Sequence, residues 1–120
     1  MNKHYKYGKK WIEGSYRSFI NNLFITTKSR MKSSDNMSLE YLINLYETQN
    51  GKCALSGIKM ANLIGDHATI SIDRIDPNFG YIIGNVQLVC QFINLGKNKH
   101  TNSEVVEFLN MIKENNESIK

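Results

Sequence analysis

The stretch Ile72-Asp73-Arg74-Ile75-Asp76-Pro77 decides the fold, together with Gly84-Asn85-Val86-Gln87-Leu88-Val89-Cys90 and Ile93-Asn94-Leu95-Gly96-Lys97 after it. This order predicts a strand that ends in acidic and basic side chains, a return that contains glycine, and a short helix. On that helix Asn94 and Lys97 are three residues apart and therefore lie on one face. A carboxylate from the strand and an amide oxygen from the helix are ligands that a hard divalent cation accepts.

The strand itself is predicted over residues 69–73, where apolar and polar residues alternate. Ile70 and Ile72 share one face, and Thr69, Ser71 and Asp73 share the other. Residues 76–80 have the composition of a turn, and residues 81–83 are predicted to form a short return strand. The third helix is marked by four apolar residues and is expected to end at Gly96; these four are Leu88, Val89, Phe92 and Ile93.

Helices are predicted on both sides of this hairpin. Ser15 can cap a first helix, whose apolar positions recur at helical spacing as Tyr16, Phe19, Ile20, Leu23, Phe24 and Met31. Ser38 can cap a second helix that Asn50-Gly51 ends, with Leu39, Leu42, Ile43 and Tyr46 turned inward. Residues 52–58 resemble a tight β knuckle. Residues 101–104 form a capping box for a closing helix lined by Val105, Phe108, Leu109 and Ile112. The order is α-α-β-β-α-α in one α+β domain.

Charge is distributed unevenly along the 120 residues, whose formal net charge is +4. Residues 1–37 contain eight Lys/Arg and two acidic residues, whereas residues 38–120 contain seven and nine. An N-terminal basic excess is typical of a segment that lies on nucleic-acid phosphates, and a merely solvated basic end is the alternative. Residues 1–14 are predicted to be a basic, aromatic arm, and residues 15–120 a single domain.

Two cysteines far apart in sequence, Cys53 and Cys90, do not suggest a disulfide scaffold, and no segment resembles a signal peptide. No apolar run approaches the ~18–20 residues of a membrane span. We therefore expect a soluble protein of the cytoplasm with no membrane partner.

The motifs above resemble the HNH endonuclease family, whose active site is a ββα-metal hairpin and helix. The resemblance covers about residues 51–100, and more loosely residues 15–50, which look like the lead-in of small phage HNH proteins. Nine positions separate Asn85 from Asn94, Lys97 follows by three, and Asp73 precedes Pro77 by four. The resemblance implies a ββα-metal core with two N-terminal helices and a C-terminal helix.

The same resemblance assigns roles to individual residues. Asp73 and Asn94 would bind one Mg²⁺ or Mn²⁺ ion, since an amide oxygen suits these ions and is poor for zinc. Asn85 would hydrogen-bond backbone across the hairpin loop, although a plain helix N-cap predicts nearly the same geometry. Lys97 could contact a phosphate or be solvated. Asp76 could bind the ion or accept a proton, or simply begin a turn.

Arg74 stands where the family usually has the histidine that activates water. An arginine cannot act as a general base at neutral pH because its pKa is above ~12, but it can clamp the phosphate. Either another group is the base, or the ion alone activates water, or the site is inactive. His67 lies about 20 Å from Asp73 if the segment is extended, at ~3.3 Å per residue, so His100 is the better candidate if it folds back towards Asn94. An exposed loop histidine is the alternative.

Structural zinc is not expected. Many relatives have two Cys-x-x-Cys knuckles around the hairpin, whereas here the pairs are Cys53/Ser56 and Cys90/Ile93. Two thiolates cannot complete a four-coordinate zinc site. We expect apolar packing of Ile93 in its place, and the two thiols could lie close together.

The expected function is a Mg²⁺- or Mn²⁺-dependent DNA endonuclease that nicks one strand per active site. The alternative is an inactive HNH-like module that binds DNA or protein. The partner is double-stranded DNA, with a minor-groove position of the helix implied by the resemblance, and the protein would be a monomer or homodimer. Candidate phosphate contacts are basic residues of the arm, the first helix and the end of the third helix: Lys3, Lys6, Lys9, Lys10, Arg17, Lys28, Arg30, Lys97 and Lys99.

Overall fold

A computed structural model of the chain describes residues 16–62 and 65–119. Over these residues the protein is α+β, with four helices and one antiparallel pair of strands. In chain order the elements are α1 Tyr16–Lys28, α2 Leu39–Thr48, β1 Ile70–Arg74, β2 Val86–Cys90, α3 Gln91–Lys97 and α4 Asn102–Ile119.

The two strands pair so that Ile70 lies opposite Cys90 and Asp73 lies opposite Gln87. The first strand is therefore close to its predicted position, but the predicted return strand at residues 81–83 is wrong. The returning strand is β2, and Leu88 and Val89 belong to it rather than to a helix. All five residues of β2 are buried. A strand buried on both faces does not alternate, and its short apolar run cannot be distinguished from a helix by periodicity.

Helix α3 begins directly after β2, with Cys90 as its N-cap. Gly96 does not end this helix, which continues to Lys97. The chain leaves the helix at Asn98, which has φ +47°. Its backbone N–H donates to the carbonyl oxygen of Asn94 and so closes the last turn of the helix.

The core lies between β2 and the two N-terminal helices, and Ile20 of α1 and Leu42 of α2 are fully buried in it. The predicted inward faces of both helices are confirmed, because the apolar residues assigned to them pack against this core, Met31 from beyond the end of α1. Ser38 caps α2, since its Oγ accepts a hydrogen bond of 3.1 Å from the backbone N–H of Tyr41. Ser15, the predicted cap of α1, lies outside the described residues.

Helix α4 begins with the predicted capping box. Thr101 N–H donates to Glu104 Oε1 at 2.9 Å, and Glu104 N–H donates to Thr101 Oγ1 at 3.1 Å. The expectation that its apolar face closes the core is only partly correct. Val105 and Leu109 are half-buried, whereas Phe108 is 59% exposed and Ile112 is 44% exposed.

Candidate active site around Asp73

The polar face of β1 meets α3 at two successive points. Asn94 Nδ2 donates to Ser71 Oγ at 2.6 Å and to the carbonyl oxygen of Ile72 at 3.2 Å. Lys97 Nζ lies 2.7 Å from Asp73 Oδ2. Ser71 and Asp73 are alternate residues of one strand, and Asn94 and Lys97 are one helical turn apart, so each pair shares a face. The structure therefore brings Asp73, Asn94 and Lys97 to the same side of the sheet.

Lys97 is buried, with 2% of its surface exposed. Its ammonium also donates to the backbone carbonyls of Arg74 at 3.0 Å and Ile75 at 3.2 Å. An ammonium has three N–H donors, and here each one has an acceptor. The prediction that Lys97 contacts a phosphate, or is solvated, is therefore wrong for this structure. Lys97 ties the end of β1 to α3 instead.

Asp73 is 7% exposed and is also bonded from the neighbouring strand. Its cross-strand partner Gln87 donates from Nε2 to Asp73 Oδ2 at 2.8 Å. The same Nε2 lies 3.0 Å from Asn102 Oδ1, and Asn102 Nδ2 donates to Gln87 Oε1 at 3.2 Å. The hydrogen-bonded network therefore runs from Lys97 through Asp73 and Gln87 to the first residue of α4.

The sequence pattern does not single out Gln87 or Asn102. Gln87 could have been found from the strand register, since residues directly opposite in an antiparallel pair have adjacent side chains. The apolar run after Gln87 hides this register, because a short apolar run also fits a buried helix. Asn102 lies beyond the hairpin, and we find no sequence signal for its contact with Gln87.

The orientation of the two candidate metal ligands follows from these bonds. Both donors to Asp73 contact Oδ2. The Asn94 amide nitrogen must face Ile72, because a backbone carbonyl only accepts hydrogen bonds. Among residues 16–62 and 65–119, no hydrogen bond reaches Oδ1 of Asp73 or Oδ1 of Asn94. One oxygen of each side chain is thus left for a further ligand.

Asn85 closes the loop between the strands. Its Oδ1 accepts from Asp76 N–H at 2.9 Å, and its Nδ2 donates to the carbonyls of Asp76 at 3.1 Å and Gly80 at 3.0 Å. These are hydrogen bonds across the hairpin loop of the kind that the resemblance implies. The N-cap alternative is wrong, because Asn85 precedes β2 and not a helix.

The Asp76 carboxylate stabilises the turn that follows it. Its Oδ1 accepts from Asn78 N–H at 2.9 Å. This contact agrees with the prediction that Asp76 begins a turn, which was the alternative to a role in binding the ion. Asp76 is half-buried, and the described contacts give it no hydrogen bond with Asp73 or Asn94.

Arg74 is held by the same loop. Its Nη1 donates to the carbonyl oxygen of Phe79 at 3.3 Å, and its guanidinium carbon lies 5.4 Å from the centre of the Tyr81 ring. A guanidinium over an aromatic face is stabilised by the ring quadrupole. As the next residue of the strand, Arg74 points away from the face that carries Asp73.

None of the contacts within residues 16–62 and 65–119 joins either candidate histidine to the Asp73 cluster. His100 Nδ1 lies 3.6 Å from Glu104 Oε2, and its side chain is 63% exposed. This matches the exposed loop histidine of the alternative rather than a residue folded back onto Asn94. His67 packs edge-on against Phe92, with 6.0 Å between ring centres.

The predicted phosphate contacts have different outcomes. Lys3, Lys6, Lys9 and Lys10 lie outside the described residues. Arg17 forms an exposed ion pair of 2.9 Å with Glu47, and Lys28 lies 5.9 Å from the centre of the Phe24 ring. Arg30 and Lys99 are exposed on the surface.

The two cysteines are free, buried and adjacent. A hydrogen bond from the Cys90 thiol, with support from Ser56 N–H at 3.4 Å, lowers the pKa of Cys53 to about 5 despite burial. The pKa of Cys90 is raised, chiefly by the same hydrogen bond and then by burial. Ile93 packs against the core beside them. No group of three or more His, Cys, Asp or Glu side chains suited to a metal ion occurs in the described part of the chain.

Comparison of the chain with protein-family models, curated proteins and solved structures found no match. Within residues 16–62 and 65–119, every helix is too short or too polar to cross a membrane.

Proposed function

We propose that the chain is a divalent-metal-dependent DNA endonuclease of the HNH type, with a ββα-metal core formed by β1, β2 and α3. The observation that carries this proposal is that Asp73 and Asn94 lie on the same side of the sheet and that each keeps one oxygen without a hydrogen bond among the described residues. Asp73 Oδ2 accepts from Gln87 and Lys97, and Asn94 Nδ2 donates to Ser71 and Ile72. Within residues 16–62 and 65–119, no hydrogen bond reaches Oδ1 of either side chain.

This donor set fits Mg²⁺ or Mn²⁺. Magnesium commonly takes one or two carboxylates from the protein and keeps several waters or substrate phosphates. Asp73 and Asn94 would hold the ion, and the ion would supply Lewis-acid stabilisation of negative charge on the phosphate. The described cluster offers one carboxylate and one amide oxygen, and oxygens of the substrate phosphate and of water would complete the coordination.

The remaining residues support the site in different ways. Asn85 braces the loop that follows β1, and Lys97 and Gln87 fix the Asp73 carboxylate. Arg74 is half-buried over Tyr81 on the opposite face of the strand, so its remaining N–H donors would meet a phosphate outside the Asp73 cluster. We assign no general base, because none of the contacts within residues 16–62 and 65–119 joins a histidine to the Asp73 cluster. Double-stranded DNA would bind mainly through its phosphates to the basic N-terminal third, so binding should weaken steeply with salt.

One observation favours a second candidate, a module that binds DNA without cutting it. The Asp73 carboxylate is 7% exposed and already neutralised by Lys97. Together with Arg74 in place of a histidine, this is the arrangement expected of a site that has lost its chemistry.

Nicking of supercoiled plasmid in Mg²⁺ or Mn²⁺ separates the two candidates. Asn94→Ala should lower the nicking rate at least tenfold while the protein stays folded, because one ion ligand is lost. Asn110→Ala, an exposed asparagine on α4, is the matched control and should cut at the wild-type rate. Asp73→Asn, which keeps an oxygen for Lys97, should also be inactive.

Tight DNA binding without nicking in any divalent metal would reject the nuclease and support the binding module. Equal nicking by wild type and Asn94→Ala would reject the assigned ion ligands.

A further inference from the structure

The two cysteines of the chain meet where a surface turn packs against the end of β2. Residues 52–59 form this turn, and backbone hydrogen bonds of 2.8 and 2.9 Å close it. From within the turn, Ala54 N–H donates to the carbonyl oxygen of Leu88 at 3.0 Å. Backbone contacts therefore hold Cys53 beside Cys90, the last residue of β2.

The two sulfur atoms have different hydrogen-bond roles. The Cys53 sulfur accepts from the Cys90 thiol and from the Ser56 N–H, the latter at 3.4 Å. These hydrogen bonds, first that of Cys90, lower the pKa of Cys53 to about 5 although burial opposes the shift. The same hydrogen bond and burial raise the pKa of Cys90. At neutral pH Cys53 is therefore a thiolate, and it lies beside a protonated thiol.

This arrangement differs from that of a cysteine that only fills space in a core. Burial in apolar surroundings raises the pKa of a thiol, so such a cysteine stays protonated and inert. Redox-active cysteines are instead ionised, and many stand next to a second cysteine that can react with the oxidised sulfur. Cys53 is ionised and has Cys90 as its neighbour, so the pair belongs with the redox-active class.

We propose that Cys53 and Cys90 form a reversible redox pair, which a small peroxide oxidises to an intramolecular disulfide. The Cys53 thiolate attacks one peroxide oxygen, the O–O bond breaks, and a sulfenic acid and hydroxide form. The sulfenic acid is uncharged, so the negative charge that helps Cys90 to retain its proton is gone. The Cys90 sulfur then attacks the Cys53 sulfur, the S–O bond breaks, and the Cys90 proton leaves with the hydroxyl group as water. The two sulfurs lose two electrons in total, and the peroxide gains them.

The position of the pair limits which oxidants can reach it. Cys53 and Cys90 are 3% and 2% exposed, but Cys53 lies between two exposed residues of the turn, Lys52 and Ala54. Hydrogen peroxide is little larger than water and should reach the Cys53 sulfur. The bulky aromatic disulfide dithionitrobenzoate should react much more slowly with the folded protein.

Oxidation would have a structural consequence for α3. Cys90 is the N-cap residue of this helix, and Asn94 lies one turn further on. The disulfide would tie the start of α3 to the surface turn and close a loop over residues 54–89. Restricting the unfolded chain in this way stabilises the native state, so the melting temperature should rise by roughly 10 °C. Such a redox pair requires no nuclease activity.

Mass spectrometry of the whole protein tests the disulfide. Reduced wild type is treated with hydrogen peroxide and then unfolded in urea with N-ethylmaleimide. The treated protein should bind no maleimide and remain a monomer on a non-reducing gel, whereas untreated protein should bind one maleimide per cysteine. Dithiothreitol should restore both reactive thiols and return the melting temperature to that of the reduced protein.

Single variants test the order of the two steps. In Cys90→Ser the hydroxyl still offers a donor to the Cys53 sulfur, but the sulfenic acid has no second thiol to react with. Dimedone, which traps sulfenic acids, should therefore label Cys90→Ser. Cys53→Ser is the matched control, since it keeps one equally buried thiol, and it should not be labelled. Peroxide should not raise its melting temperature, which also controls for oxidation of methionines.

Three results would overturn the redox pair. Both thiols of the treated wild type could still react with maleimide, or could stay blocked after dithiothreitol. The disulfide could join two chains instead of closing within one. Finally, dimedone could label both single variants equally, which would mean that Cys53 is not the attacking thiolate.

Discussion

Replacing Lys97 with methionine removes the ammonium that links α3 to the end of β1. The Lys97 and Asp73 side chains are 1% and 9% exposed, and their charged atoms lie 2.7 Å apart. Removal of one partner from a buried ion pair costs ~3–5 kcal/mol because the other charge is left buried. Methionine retains most of the aliphatic stem, and Gln87 still donates to Asp73. We therefore expect a loss of about 3 kcal/mol, at the lower end of that range.

Urea denaturation followed by far-ultraviolet circular dichroism measures this loss. With a slope of ~1.5 kcal/mol per molar urea, the midpoint should fall by about 2 M. Lys113→Met is the matched control, since Lys113 is also helical but exposed, and it should change stability by less than ~0.5 kcal/mol. The double variant Lys97→Met/Asp73→Leu should recover part of the loss, because neither charge is then left unpaired.

If Lys97→Met costs no more than Lys113→Met, Lys97 is not buried against Asp73. Lys97 would then be available to contact a phosphate. If the double variant is less stable than Lys97→Met, the loss comes from packing and not from an unpaired carboxylate.

Three further perturbations test other parts of the structure. Ser38→Ala should lower the free energy of unfolding by about 1 kcal/mol through loss of the α2 cap, and an unchanged melting temperature would contradict the cap. Gly80→Ala should destabilise the protein by roughly 1–3 kcal/mol in thermal denaturation, because a β-carbon there meets the Asp35 carboxylate. The loss of stability should be smaller in an Asp35→Ala background, and an equal loss would refute that clash. Cys90 lowers the pKa of Cys53 to about 5, so the native state favours its thiolate. That stabilisation is present above pH 9 and is lost as the pH falls through 5. The difference in unfolding free energy between wild type and Cys53→Ala should therefore decrease from pH 9 to pH 5. A constant difference would be inconsistent with the lowered pKa.

The helices could be predicted because their signals are local. Apolar residues at helical spacing mark α1 and α2, and the caps at Ser38 and Thr101 use side chains within three residues of the helix start. The boundary between β2 and α3 could not be predicted in this way. It is set by burial of β2 on both faces, which depends on helices that are distant in sequence.

The candidate site was predictable in its membership and not in its bonding. Spacing placed Asp73, Asn94 and Lys97 together, and the structure brings them to one face. The burial of Lys97 could not be foreseen, because a lysine at the end of a short polar-ended helix is usually solvated. Its partners lie at and just beyond the end of β1, and their oxygens become acceptors only once β1 has packed against α3.

The buried ion pair also bears on how the proposed nuclease would acquire its ion. Lys97 cancels the charge of the one carboxylate in the cluster, so Asp73 and Asn94 offer a divalent cation two oxygens and little net negative charge. Coulomb attraction to such a site is weak, and a phosphate would have to supply the missing charge. The proposed function therefore requires ion and DNA to bind cooperatively, and by thermodynamic linkage each must raise the affinity of the other by the same factor. Mn²⁺ titration by calorimetry, with and without a short duplex, measures this coupling. Equal Mn²⁺ affinity in both titrations would mean that the ion does not contact the DNA phosphate.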